Sequence, residues 1–305
     1  MNYTNRRAFL QNAAILFAGA ALSYSFDFKR KPLLSFSTLG CPDWSFEKIT
    51  DFAVAHAYQG IEVRGLNREM DLPKSKEFST AESRKVTVNR MEDKGLRFVG
   101  LGSSATLHFA GTAERQKNLD EGRRFIDLAQ EIGCPYVRVF PNNFPKDQER
   151  TQTMDLITAG LMELAQHAKG SRVSVLMETH GDLVKSDDLL TIMNAAHHKH
   201  TGLVWDITNM WTITKEPPAE VYRKLKKYIR HTHIKDAKMQ GGKPQYTLLG
   251  EGEVPVSAAI DQLIKDNYKG YYSFEWEKLW HPEIAEPEIA LAHYPKAMMQ
   301  YLNRR

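Results

Sequence analysis

The sequence has 305 residues, of which 42% are hydrophobic and 26% charged, with a formal charge of +4. That length suits one large domain or two small ones, and the composition is ordinary for a globular enzyme. No lysine- or arginine-rich face accompanies the mild positive charge, so charge alone does not imply nucleic acid binding.

The first segment stands apart from the fold. "TNRRAFLQ" puts Arg6 and Arg7 ahead of Phe9 and Leu10, and the apolar run "AAILFAGAALS" follows. The run is too short and too alanine-rich to span a membrane, but it suits the h-region of an export signal. Paired arginines followed by x-Phe-Leu resemble a twin-arginine (Tat) signal. The expectation is a signal peptide over residues 1–23, transient engagement of the Tat machinery, cleavage near Ser23 and a soluble periplasmic or otherwise exported product. No cysteine follows the run, which excludes a lipoprotein anchor.

From residue 33 the chain repeats one unit: a short β-branched or aromatic run, a loop, then a helical pattern. The strands read "LLSFSTLG", "GIEVRG", "LRFVGLGS", "YVRVFPN", "VSVLMETHGD", "GLVWDITN", "IRHTHIKD" and "GYYSFEWE". Between them lie stretches such as "SFEKITDFAVAHAY", "QKNLDEGRRFIDLAQEIG", "TMDLITAGLMELAQHAKG" and "PVSAAIDQLIKDNY". Their apolar residues recur every three or four positions, and several stop at a glycine. Strict alternation implies a parallel sheet, and eight units predict a single-domain α/β fold over residues 24–305, a (β/α)8 TIM barrel. No Gly-x-Gly-x-x-Gly turn supports a dinucleotide fold. The longer connections, residues 65–80, 142–150, 237–255 and 278–290, all follow strands, on the face where such barrels keep their chemistry. Cys41 and Cys134 fall at opposite ends of the strands, ~17 Å apart, so two free thiols are expected.

Alternation along each strand sorts side chains into an inward and an outward set. It turns Glu275 and Glu277 inward on the last strand, with Phe274 and Trp276 outward. It also turns inward His231, His233 and Lys235; Val204 and Asp206; Leu176, Glu178 and His180; and Glu62 with Arg64. Four successive strands thus aim Glu178, Asp206, His233 and Glu275 into one lumen. Buried carboxylates are costly unless something cationic holds them. Arg64 and Lys235 could supply part of that charge, and a salt-bridged barrel mouth is the structural alternative. Three oxygen donors and one imidazole suit a single divalent ion, Mn²⁺ first, then Mg²⁺, with Zn²⁺ or Co²⁺ also admitted.

The order Glu, Asp, His, Glu on strands five to eight resembles the xylose-isomerase-like barrels, a superfamily of sugar isomerases and epimerases, inosose dehydratases, 3-keto-glycoside lyases and apurinic endonucleases. "METHGD", "HIKD" and "LGEGEVP" match its motifs around those ligands, and the similarity covers essentially the whole mature chain. Many relatives carry a histidine three residues after the strand-six aspartate. Asn209 takes that place here, as a substrate-facing candidate without the imidazole a second metal would use.

The resemblance implies a metal-dependent sugar isomerase or epimerase that removes a proton next to a carbonyl. Glu178 and Glu275 are the candidate bases; His180 and Lys235 come second, as general acid or charge partner. A 3-keto-glycoside lyase or inosose-type dehydratase would use the same residues. A sugar-binding barrel without catalysis and an apurinic endonuclease are further alternatives, the latter opposed by the export signal and by Asn209. Glu62, Arg64, His108 and Glu277 are further substrate-facing candidates. Trp205 and Trp276 fall in the core by phase. Trp44, Trp211 and Trp280 fall in the top loops, where an indole could stack on a sugar ring, with His281 beside them. The expected partner is a small carbohydrate, not nucleic acid, and a homo-oligomer is compatible with the sequence.

Overall fold

The computed structural model describes residues 32–303. The expected signal segment, with Arg6 and Arg7, lies outside the described residues. Eight parallel strands close a barrel: β1 Leu33–Ser37, β2 Gly60–Val63, β3 Arg97–Thr106, β4 Tyr136–Phe140, β5 Ser174–Glu178, β6 Thr201–Asp206, β7 Ile229–Ile234 and β10 Tyr271–Phe274. β1 and β10 pair in register from Leu33 with Tyr271 to Phe36 with Phe274, which leaves the ring without an edge. The helices are α1 Phe46–Ala55, α2 Ala81–Asp93, α3 Thr112–Ile132, α4 Arg150–His167, α5 Ser186–Ala195, α6 Ile207–Thr214, α7 Pro218–Leu225, α8 Val256–Lys265 and α9 Pro287–Leu302. None of them is long and apolar enough to cross a membrane.

Local chemistry sets the boundaries. Ser45 caps α1 by accepting from the Lys48 N–H at 3.2 Å, Thr80 and Ser83 form a capping box on α2, and α3 ends at Gly133 with φ +71°. Outward strand residues such as Phe36, Ile61, Val139, Met177, Trp205, Ile234 and Phe274 are buried beneath the helices. Each contributes about 1.5–3 kcal/mol, and that shell offsets the cost of an acid-rich lumen. Trp205 and Trp276 belong to it, as their phase predicts; the Trp276 Nε1–H donates to the Ala285 carbonyl. Cys41 and Cys134 are both buried and free.

Two differences from the sequence reading bear on the site. The last barrel strand stops at Phe274, and beyond it Glu275 continues the ladder through its N–H to the Ile234 carbonyl (3.2 Å). The connection after β7, read as a loop, contains an antiparallel hairpin, β8 Asp236–Gln240 and β9 Lys243–Thr247. Gly241 and Gly242, at φ +57° and +78°, form its two-residue turn. Consecutive positive φ values match the right-handed twist of the paired strands, and glycine adopts them without strain.

Candidate metal centre

The inward residues at the carboxyl ends of β5, β6, β7 and β10 meet as alternation predicts. One donor atom each from Glu178, Asp206, His233 and Glu275 lies within 4.8 Å of the others, and all four residues are buried. His233 Nδ1 is the hub. It stands 3.1 Å from Glu178 Oε1, 3.2 Å from Glu275 Oε1 and 3.9 Å from Asp206 Oδ2. Its other nitrogen, Nε2, meets Glu62 Oε2 at 2.9 Å. Burial alone would lower the His233 pKa, but Glu275, Glu62 and Glu178 drive it well above the ordinary imidazole range.

Each carboxylate is held on its other side. Asp206 ends β6 and caps α6, its Oδ1 accepting the Asn209 N–H at 2.8 Å, which leaves Oδ2 directed at the cluster. Lys235 Nζ, on a side chain 1% exposed, lies 2.8 Å from Asp206 Oδ2 and 2.6 Å from Glu275 Oε2, and also contacts Glu277. Arg138 Nε lies 2.9 Å from Glu178 Oε2. Burial would raise the Glu275 carboxyl, but His233 and Lys235 hold it well below its usual range. Burial, assisted by the neighbouring Glu275 and Glu178, raises Asp206 to about 7 against the pull of Lys235.

The donor set fits a divalent ion. The approaches of Arg138 to Glu178 Oε2 and of Lys235 to Asp206 Oδ2 are close but lack hydrogen-bond direction, so both buried oxygens have no aligned donor. Donors on opposite sides of one small ion, each ~2.1 Å from it, are ~4.2 Å apart. The cluster is therefore within small side-chain adjustments of sharing one.

The other sequence candidates divide. His180 Nδ1 meets Asn142 Oδ1 at 2.9 Å, and its ring tilts against Phe140. Burial lowers its pKa below the ordinary imidazole value. Glu277 is gathered into a ring with Lys235, Tyr246 and His281, the last with its ring 5.0 Å from that of Tyr246. Trp280 is 54% exposed. Trp211 has Lys215 Nζ over its ring at 3.5 Å.

The five remaining candidates are placed as follows. Trp44 is not an open indole at the mouth: it is buried against Phe52, with Lys48 Nζ 4.1 Å from its ring centre. Arg64 forms no direct salt bridge with a carboxylate among the described residues; it donates to the Gly102 carbonyl and to Ser104 Oγ. Glu62 is 2% exposed and lies behind His233, on its Nε2 side. Asn209 contributes its backbone N–H to Asp206. His108 is buried beside Phe109, its Nδ1 without a partner.

Arg138 went unmarked in the sequence although it shares the inward phase of β4; the same alternation test finds it. Tyr246 had no such signal, because a hairpin inserted in a loop has no register with the barrel.

Asp236, in the "HIKD" segment, ties the hairpin down. Its two oxygens accept N–H groups from Ala237 (2.9 Å), Val254 (3.3 Å), Gly250 (2.9 Å) and Gly252 (3.0 Å). A Cβ on Gly252 would stand 2.0 Å from Asp236 Oδ1. Gly252→Ala is expected to cost about 1–3 kcal/mol by overpacking. Asp236→Asn, which turns half of the acceptor into a donor, should cost a similar amount. Urea denaturation of the two variants checks both values; wild-type midpoints would contradict this anchoring role.

Known proteins agree with this architecture. No match to a curated protein was found at the level of sequence. Among solved structures, the zinc-bound IOLI protein superposes with a TM-score of 0.75 at 15% identity, covering 89% of this chain and 98% of its own. An L-ribulose 3-epimerase gives 0.73 at 15% identity, covering 89% and 94%. The 3-keto-D-glucoside 4-epimerase YcjR from E. coli gives 0.69 at 16% identity, covering 89% and 99%. At these identities the likeness establishes the fold. A family model matches residues 50–295, and the chain accordingly belongs to the xylose isomerase-like TIM barrel family.

Proposed function

We propose that this protein is a divalent-metal-dependent sugar isomerase or epimerase that removes a proton next to a carbonyl. The observation that carries the reading is the convergence of three carboxylates on one imidazole nitrogen, with two buried oxygens lacking an aligned donor. Glu178, Asp206, His233 through Nδ1, and Glu275 would hold the ion, Mn²⁺ first and Zn²⁺, Mg²⁺ or Co²⁺ as alternatives. A bound ion would polarise a substrate carbonyl and acidify the neighbouring C–H.

The protein's own groups supply the rest. Glu178 and Glu275 come from strands three places apart around the ring, so they can accept or return a proton on different sides of a sugar. Lys235 is held protonated by Asp206, Glu275 and Glu277 despite its burial, which makes it a fixed positive charge and not a base. Glu277, His281 and Tyr246 offer polar contacts to sugar hydroxyls. The superpositions with an L-ribulose 3-epimerase and a 3-keto-D-glucoside 4-epimerase support a carbohydrate substrate. The twin-arginine-type segment supports an exported enzyme, which fractionation of expressing cells would test.

Proton NMR in D₂O tests the reaction, using metal-loaded and metal-stripped protein with a free ketohexose and with a 3-keto-glucoside. Deuterium entering beside the carbonyl of an intact sugar, only in the loaded protein, is the expected result. Release of the aglycone would instead make the protein a lyase. Absence of both with either sugar would count against enolising chemistry on these substrates.

A further inference from the structure

Glu62 is buried at the metal centre, and the mechanism gives it no task. It sits in the lumen among histidines, with no arginine or lysine of the described residues in salt-bridge contact. Its Oε2 meets His231 Nε2 at 2.7 Å and His233 Nε2 at 2.9 Å, and its Oε1 lies 3.1 Å from His233 Nε2. Ser273 Oγ is 3.5 Å away. Both imidazoles are buried, and His231 Nδ1 has no partner.

A buried carboxylate costs several kcal/mol unless well-placed donors face it. Here each imidazole can give one, provided its proton is on Nε2. That arrangement fixes His233 in rotation, and it directs Nδ1 at Glu178, Asp206 and Glu275. His231 holds the same carboxylate from one layer further down the barrel, two residues earlier on β7.

We propose that Glu62 is the positioning residue of the metal centre: it accepts the Nε2–H of His233, orients the ring, and strengthens Nδ1 as a donor, with His231 keeping Glu62 in place. The inference rests on the metal-centre reading above, and it assigns Glu62 a role away from substrate. Carboxylates that orient a metal-binding histidine in this way are worth about 10–100-fold in metal affinity. The same three residues, Glu62, His231 and His233, could alternatively hold a second ion of their own, an outcome the test separates.

The experiment compares wild type, Glu62→Gln and Glu62→Leu by Mn²⁺ affinity and by the number of ions bound per chain. It adds ring ¹⁵N–¹H spectra of the metal-free proteins. Expected are one ion per wild-type chain, binding about 10–100-fold weaker in Glu62→Leu, and an intermediate loss in Glu62→Gln, whose amide oxygen can still accept. The protected Nε2–H signals of His231 and His233 should be present in wild type and lost in Glu62→Leu. Unchanged affinity in Glu62→Leu overturns the proposal, as do two ions per wild-type chain. Should Glu62→Leu fail to fold, wild-type affinity in Glu62→Gln overturns it instead. If wild type binds no Mn²⁺, the metal-centre reading falls by itself. The ring spectra then decide the role of Glu62 separately, and signals still protected in Glu62→Leu would overturn it.

Discussion

Glu178→Gln and Glu275→Gln are each expected to slow sugar turnover by about 10²–10⁴-fold, the usual worth of a positioned acid–base group, and to fail differently. Glutamine keeps an oxygen that can face an ion, so a large part of metal binding should survive while proton acceptance is lost. In an epimerase with one base on each side, either variant should lose interconversion. Each should still exchange deuterium into the one epimer whose proton the remaining carboxylate reaches. The geometry favours this split. Glu178 and Glu275 both contact His233 Nδ1, at 3.1 and 3.2 Å, yet Glu178 rests on Arg138 and Glu275 on Lys235. NMR of both epimers in D₂O, with metal content and thermal midpoint measured alongside, reads the outcome. Loss of all exchange in one variant and none in the other would point to a single base, as an eliminating enzyme needs.

The barrel and its lumen were legible because both follow from periodicity. Alternation of β-branched runs with amphipathic stretches specifies βα units, and a period of two decides which face each side chain takes. Glu178, Asp206, His233 and Glu275 therefore come together from sequence phase alone. Phase carries no information about depth, however. It turned both Glu62 and Arg64 inward but could not tell that Glu62 would lie behind His233, nor that Arg64 would spend its donors on Gly102 and Ser104. Loop residues have no phase at all. Trp44 looked available because it follows a strand, but Phe52 and Lys48 cover it. Tyr246 reaches the site only because the Gly241–Gly242 turn folds the hairpin and Asp236 anchors it.

Lys235→Met is expected to destabilise the metal-free protein by about 3–5 kcal/mol, because removing one member of a buried ionic cluster leaves the others uncompensated. Nζ contacts Asp206, Glu275 and Glu277, and the side chain is almost fully buried. Methionine fills much of the same volume, so packing loss is minor and the charge term dominates. This variant also decides between a metal centre and a mouth held together by salt bridges alone. An ion that binds only the folded state stabilises it in proportion to its occupancy. If Glu178, Asp206, His233 and Glu275 hold a divalent ion, adding Mn²⁺ should raise the melting temperature of wild type. It should raise that of Lys235→Met by more, because the ion then replaces the missing positive charge. In a mouth that needs only its lysine and arginine, Mn²⁺ would leave both melting temperatures unchanged, and the variant would stay destabilised at every ion concentration. Thermal unfolding of the two proteins over a Mn²⁺ titration distinguishes these cases before any substrate is known. Lys235 is the informative position because it neutralises the cluster's oxygens without being one of its metal donors.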